Sequence, residues 1–257
     1  MAASGPTSPT DEAWSFSQPG HRVQWPYNKW FGAHMRKRTK IAFVREHWDR
    51  DIGAVRARQK DERQRDTLER VEKAGAATLM AFLDEVGSLE LARAFCERAD
   101  IAPGDLLALL RRVYKLLPFG AQMRMLVADD DPASEHVGKL SKHKLAYSLA
   151  FLEAARTNAG REAIAAETGV PLPVVLDLAH RADFTRLTLM SGGMVRQLWA
   201  LGYTSLHAVR AADPDEYYAR CVEYYERTTK GMPFDLTRKN VESLINGLSK
   251  VEPLVEE

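Results

Sequence analysis

The 257-residue chain has only two cysteines, Cys96 and Cys221, 125 positions apart. Two thiols so placed build no disulfide framework; they read as buried reduced residues and point to an intracellular, reducing compartment. Cytoplasm and organelle matrix are not distinguished. No apolar run approaches the ~18–20 residues of a membrane-spanning helix. No stretch alternates apolar and polar residues as a half-buried strand does. A net charge of +1 leaves the molecule without overall attraction to polyanions. Residues 1–19, polar and rich in Pro and Ser, lack the apolar segment of a secretory signal and the acid-poor, basic character of an organellar presequence.

Recognised chemistry is equally scarce. There is no G-x-x-x-x-G-K-[ST], no G-x-G-x-x-G between a strand and a helix, and no H-E-x-x-H. The histidines, at 21, 34, 47, 136, 143, 180 and 207, form no metal-ligand cluster at a recognised spacing, even with the two cysteines. The S-x-x-K formed by Ser141 and Lys144 stands without its companion motifs and reads as part of a basic, exposed helix face. Asp129, Asp130 and Asp131 lack the spaced oxygens and glycine turn of an ion loop and read as a solvated loop. No catalytic residue, metal, cofactor or small-molecule substrate is therefore expected.

What the chain does contain is helix. The spacing predicts an all-α protein in four parts. Residues 1–35 form an irregular arm, with Trp25, Tyr27, Trp30 and Phe31 inside seven positions. A free tail is usually poor in aromatics, so these side chains are expected to pack on something. Residues 36–87 form a long charged helix or a helix pair, with Ile41, Val44, Trp48, Ile52 and Val55 on one face and a polar middle at 56–67. Residues 88–160 form a helical domain. In it, Ser88 caps a helix, 101–118 is a helix bounded by Pro103 and Pro118, a short helix runs from about Phe119 to Val127, and a longer one covers 135–158 until Gly160 stops it. Residues 161–257 complete the chain with short helices. Leu198, Leu201, Leu206 and Val209 are expected to form core there, with Trp199 partly at the surface. Tyr217, Tyr218, Cys221, Tyr224 and Tyr225 form two adjacent helix faces, one of them core. An internal echo pairs IAPGDLLALLRR (101–112) with VPLPVVLDLAHR at an offset of 69.

Charge is uneven. Gly20–Lys73 carries 15 Lys+Arg against 8 Asp+Glu, a net of +7, which leaves −6 for the remainder. A basic front and an acidic body imply different partners. Arg36, Lys37, Arg38, Lys40 and Arg45, with aromatics just upstream, could track a nucleic-acid backbone and stack on bases.

The stretch HRADFTRLTLMSGGMVRQLWALGYTSLHAVRAADPDEYYARCVEYYERTT, followed by FDLTRKNVESLINGLSKVEP, resembles domain-of-unknown-function family 4332, a helix-hairpin-helix-like domain, over about residues 165–252. The resemblance implies compact helical hairpins and no established activity. In hairpins of this kind that bind nucleic acid, exposed amides at a Gly-apolar-Gly turn hold a phosphate. Here the turn is Met190-Ser191-Gly192-Gly193-Met194, the first glycine is missing or displaced, and Arg196 is the only cation of the next turn. Close packing of two helices at Gly192 and Gly193 is the expectation, and phosphate binding the alternative. The reading is thus a non-catalytic scaffold or accessory subunit of a larger assembly, which could be organellar. It binds other protein subunits through Trp25, Tyr27, Trp30, Phe31, Arg36, Lys37, Arg38, Lys40 and Trp48. The alternative is a nucleic-acid-binding protein that uses the basic helix and the glycine turn at Ser191, Gly192, Gly193 and Arg196.

Overall fold

A computed structural model describes residues 16–18, 21–23, 46, 49–116, 118, 120–187, 190–228, 237–248 and 251–257. The fold is all-α. Among the described residues the only strands are two of three residues each, Phe16–Gln18 (β1) and His21–Val23 (β2), paired antiparallel. The chain divides into two compact units, Met1–Leu117 and Pro118–Glu257. The first contains helices α1 (Ile52–Ala57), α2 (Glu62–Lys73), α3 (Leu79–Glu85), α4 (Leu89–Ala99) and α5 (Pro103–Leu116). The second begins with a 3₁₀ turn, Met123–Met125. It continues with α6 (Ser134–Lys142), α7 (Ser148–Ala155), α8 (Asn158–Thr168), α9 (Leu172–Phe184), α10 (Gly192–Ala200), α11 (Leu206–Arg210), α12 (Pro214–Thr228) and α13 (Arg238–Leu248).

Capping side chains cut the chain into these short pieces. Asp51, Asp61, Thr78, Ser88, Thr157, Ser191 and Ser205 each accept a hydrogen bond from a first-turn amide of the helix they precede, at 2.7–3.2 Å. Each satisfies a donor that the helix itself leaves unpaired. Several helices are shorter than the sequence pattern implies. The expected helix at 135–158 is two helices, because Lys144 takes a left-handed backbone (φ 61°) after α6. Gly160 does not end a helix but lies in the first turn of α8. The expected helix at 119–127 is only the 3₁₀ turn. In the basic front, α1 ends at Ala57 and α2 starts at Glu62, so the polar middle is partly a loop.

The internal echo extends far beyond the two matched helices. In the first unit Ile52 N donates to Ala77 O and Leu79 N to Arg50 O, both at 2.9 Å. In the second, Met123 N donates to Ala146 O at 2.9 Å and Ser148 N to Ala121 O at 2.8 Å, the same paired bridge. Left-handed residues follow the helix before each bridge, Gly75 (φ 100°) and Lys144, and recur after α4 and α8, at Asp100 (φ 51°) and Gly169 (φ 66°). Ser88 and Thr157 cap α4 and α8 alike. Arg70 donates to Asp100 O after α4, and Lys139 Nζ to Gly169 O at 3.4 Å after α8. A cation at each helix C-terminus meets the negative end of the helix dipole. Core positions match too: Phe82 with Phe151, Leu83 with Leu152, Leu106 with Val175 and Leu109 with Leu178, all fully or almost fully buried. One five-element unit therefore occurs twice, 69 positions apart over most of its length. A further run of helices, α10–α13, follows the second copy. In the first unit Phe82 meets Phe95 edge-on at 5.7 Å. In the second, α7 packs on α9, and α12 on α13.

Candidate functional site

The glycine turn sits between α9 and α10, in the second unit. Ser191 Oγ accepts from Met194 N at 3.2 Å and starts α10. Gly192 is buried, and a Cβ there would lie 2.5 Å from Met125 O. Gly193 is open: a Cβ there would have no neighbour closer than 3.8 Å. Neither residue has a positive φ. Gly192 is needed because α10 starts against the backbone of the 3₁₀ turn, where a side chain has no room. Arg196, the cation considered for phosphate, donates from Nη1 to Met125 O at 2.6 Å. Met125 and Met194, 48% and 39% exposed, leave an apolar rim beside the turn.

Behind the turn lies an ion network that the sequence did not announce. Arg181 is 3% exposed. Its guanidinium binds Asp131 at 2.7 Å and Asp177 at 2.8 Å and donates to Leu126 O at 3.2 Å. It lies 4.5 Å from the centre of the Trp199 ring, whose Nε1 donates to Asp177 Oδ1 at 2.9 Å. Trp199 also meets Phe184 edge-on at 6.0 Å. Two carboxylates, a carbonyl and an indole face thus satisfy one buried cation, and α9 is locked to α10. Asp131, expected as solvated loop, belongs to this network, while Asp129 and Asp130 are exposed. The i,i+4 spacing of Asp177 and Arg181 is the one local signal that could have marked it, and it was not read from the sequence.

A second set of buried charges binds the C-terminal residues. Arg161, 2% exposed, donates to Ala155 O at 3.1 Å, to Arg156 O at 3.2 Å, to Asn158 Oδ1, and to Glu256 O at 2.7 Å. Asp183, 1% exposed, pairs with Arg186 at 2.5 Å and accepts from Leu254 N at 3.1 Å. Glu256 N donates to Arg156 O at 2.9 Å, Arg186 donates to Glu252 O, and Arg210 grips the Glu252 carboxylate with both nitrogens, at 2.9 and 3.2 Å. Val255 is buried. Nearby, burial holds the His180 ring below its ordinary pKa, against the raising influence of Glu257 and Asp183. Nothing in the sequence marked Arg161 or Asp183 as binding the C-terminal residues, because the groups they hold there, Glu256 O and Leu254 N, lie 95 and 71 positions away.

The remaining expected features fall as follows. Leu198, Leu201, Leu206 and Val209 are buried. On α12, Tyr217 and Cys221 are buried, and Tyr203 packs on Tyr217 at 5.0 Å. Burial pushes the thiols of Cys96 and Cys221 up to about 11. His207 lies at the rim, 3.6 Å from Glu257. In the first unit a groove of about 480 Å³ between α2, α4 and α5 has both of its arginines engaged, Arg63 with Asp105 and Arg70 with Asp100. The binding candidates Trp25, Tyr27, Trp30, Phe31, Arg36, Lys37, Arg38, Lys40 and Trp48 lie outside the described residues. Among the described residues no His/Cys/Asp/Glu group is placed to hold a metal, and no helix is long and apolar enough to cross a membrane.

No curated protein and no solved structure matches the chain. Residues 135–250, the C-terminal part of the chain, match the family described as Domain of unknown function (DUF4332); the matched region begins within α6 and takes in Asp177, Arg181 and Trp199 of the ion network, the glycine turn and all of α13, while Leu126 and Asp131 lie before it.

Proposed function

We propose that the protein is a non-catalytic helical scaffold or accessory subunit of a larger protein assembly in a reducing intracellular compartment. It binds through its aromatic N-terminal arm and its helical body. The observation that carries this reading is how its ionisable groups are used. Arg161, Arg181 and Asp183, the buried charges that would draw attention as chemistry, are each held by internal hydrogen bonds within the helical body. Such groups serve shape rather than proton transfer, since a general acid or base needs reach to a substrate and a pKa tuned for exchange. The arm supplies indoles, the side chains most often found at the energetic centre of an interface. In this reading α9, the glycine turn and α10 act as a helix-hairpin-helix-like brace. The test is affinity capture with the full chain and with a Trp25, Trp30 and Trp48→Ala variant. The native chain is expected to hold a defined protein partner that the variant, with unchanged helical circular dichroism, releases. Equal retention by both would overturn the role of the arm.

The alternative is nucleic-acid binding through Arg36, Lys37, Arg38 and Lys40. The net +7 of Gly20–Lys73 favours it, and the engagement of Arg196 by Met125 O speaks against the glycine turn as its phosphate site. Phosphate contacts would make affinity for single-stranded RNA fall steeply between about 50 and 200 mM salt. A flat response or no binding would remove this reading.

A further inference from the structure

We propose that the cleft holding residues 251–257 is an exchangeable peptide site, and that its partner is an extended acidic segment of another protein with the pattern acidic–x–apolar–apolar–acidic. The tail shows what the cleft reads. Four of its main-chain groups are bound: Glu252 O by Arg186, Leu254 N by Asp183, Glu256 N by Arg156 O and Glu256 O by Arg161. Main-chain recognition tolerates sequence change. Selectivity comes from the burial of Val255, from Arg210 on the Glu252 carboxylate, and from Asn158 N, which donates to Glu256 Oε2 at 3.0 Å.

Two features point to exchange rather than permanent closure. First, the cleft stays satisfied without its occupant. Arg161 keeps Ala155 O, Arg156 O and Asn158, and Asp183 keeps Arg186, so departure of the tail leaves no buried charge unpaired. Second, the fold of the repeat does not need these charges. At the equivalent positions 69 residues earlier stand Ala92, Tyr114 and Leu117, where the second copy has Arg161, Asp183 and Arg186. The charges occur in one copy only, where a chain segment is bound.

This deepens the binding reading above and rests on it, yet its test does not involve the arm. Fluorescence anisotropy would follow a labelled peptide reproducing residues 251–257, added to the full native chain and to a Val255→Asp variant whose own tail is released by the buried charge. In the native chain the tethered tail competes at high effective concentration, so the peptide is expected to bind the variant about tenfold or more tightly than the native protein. A peptide of different sequence but the same pattern should bind comparably. Methylation of the peptide nitrogen corresponding to Glu256, which removes the bond to Arg156 O, should weaken binding about tenfold. Equal affinity for both chains, or indifference to the methyl group, overturns the proposal without touching the arm. A dimer of the native chain that the peptide dissolves would assign the cleft to a second copy and overturn the choice of partner.

Discussion

Gly192 and Gly193 are adjacent and chemically identical, and their surroundings separate them. A methyl on Gly192 meets the Met125 carbonyl at 2.5 Å, and backbone cannot rotate away as a side chain can. Gly192→Ala is expected to cost about 1–3 kcal/mol by overpacking. Gly193→Ala meets no neighbour closer than 3.8 Å and should be neutral or stabilising by up to ~1 kcal/mol through helix propensity. Urea denaturation of the two variants checks the difference, and a phosphate-binding turn would not predict this asymmetry. The buried thiols should be inert. With Cys96 and Cys221 pushed up to about 11, both stay protonated at pH 8 and should react with a thiol reagent only on unfolding. His180 links stability to pH. Desolvation lowers its folded pKa below the ordinary 6.5, with Asp177, Asp183 and Glu257 opposing and Arg161 assisting. Above pH 6.5 the ring is neutral in both states. As the pH falls below that value the unfolded chain takes up the proton first, so stability drops. Melting temperatures at pH 5 and 7.5 should differ less in His180→Gln than in the native protein.

Among the elements, the two bridges give one structure from different residues. Gly75 and Lys144 both take left-handed backbone before a bridge, and only glycine does so without strain. Lys144→Gly is expected to stabilise by up to ~1 kcal/mol, the relief of strain less the extra entropy of the unfolded glycine. Gly75→Ala should destabilise by about 1 kcal/mol, since its φ is 100° although nothing lies within 4 Å. Thermal unfolding of both variants reads the opposite signs. The same pair shows why helix ends were unevenly legible. Lys142-His143-Lys144-Leu145 contains no breaker, and Val137, Leu140, Lys144, Tyr147 and Phe151 keep a helical spacing across the turn. The local pattern therefore predicts one helix where the backbone makes two. The cap Ser88, by contrast, was readable, because capping is a contact over two or three residues.

Across the whole molecule the repeat is the main organising fact. The bridge amides Ile52 and Leu79 in one copy and Met123 and Ser148 in the other are expected to exchange slowly with solvent deuterium, all four well behind the exposed amides of their own unit. Rapid exchange at either bridge, measured by NMR, would show that the copies do not share one hydrogen-bonded frame. The candidate sites were less legible than the frame. The glycine turn was found from Ser191, Gly192 and Gly193, but its close contact with Met125 spans about 70 positions. The tail cleft left no trace at all.

The sequence by itself determined the helical class, the Ser88 cap, several buried faces and the offset of the repeat. These depend on periodicity and on bonds within a few residues. Tertiary structure alone decided where Lys144 breaks a helix, why Gly192 cannot carry a side chain, and which buried arginines meet which acids or carbonyls. Those outcomes depend on what remote segments bring within hydrogen-bond or van der Waals distance, and no local spacing encodes that.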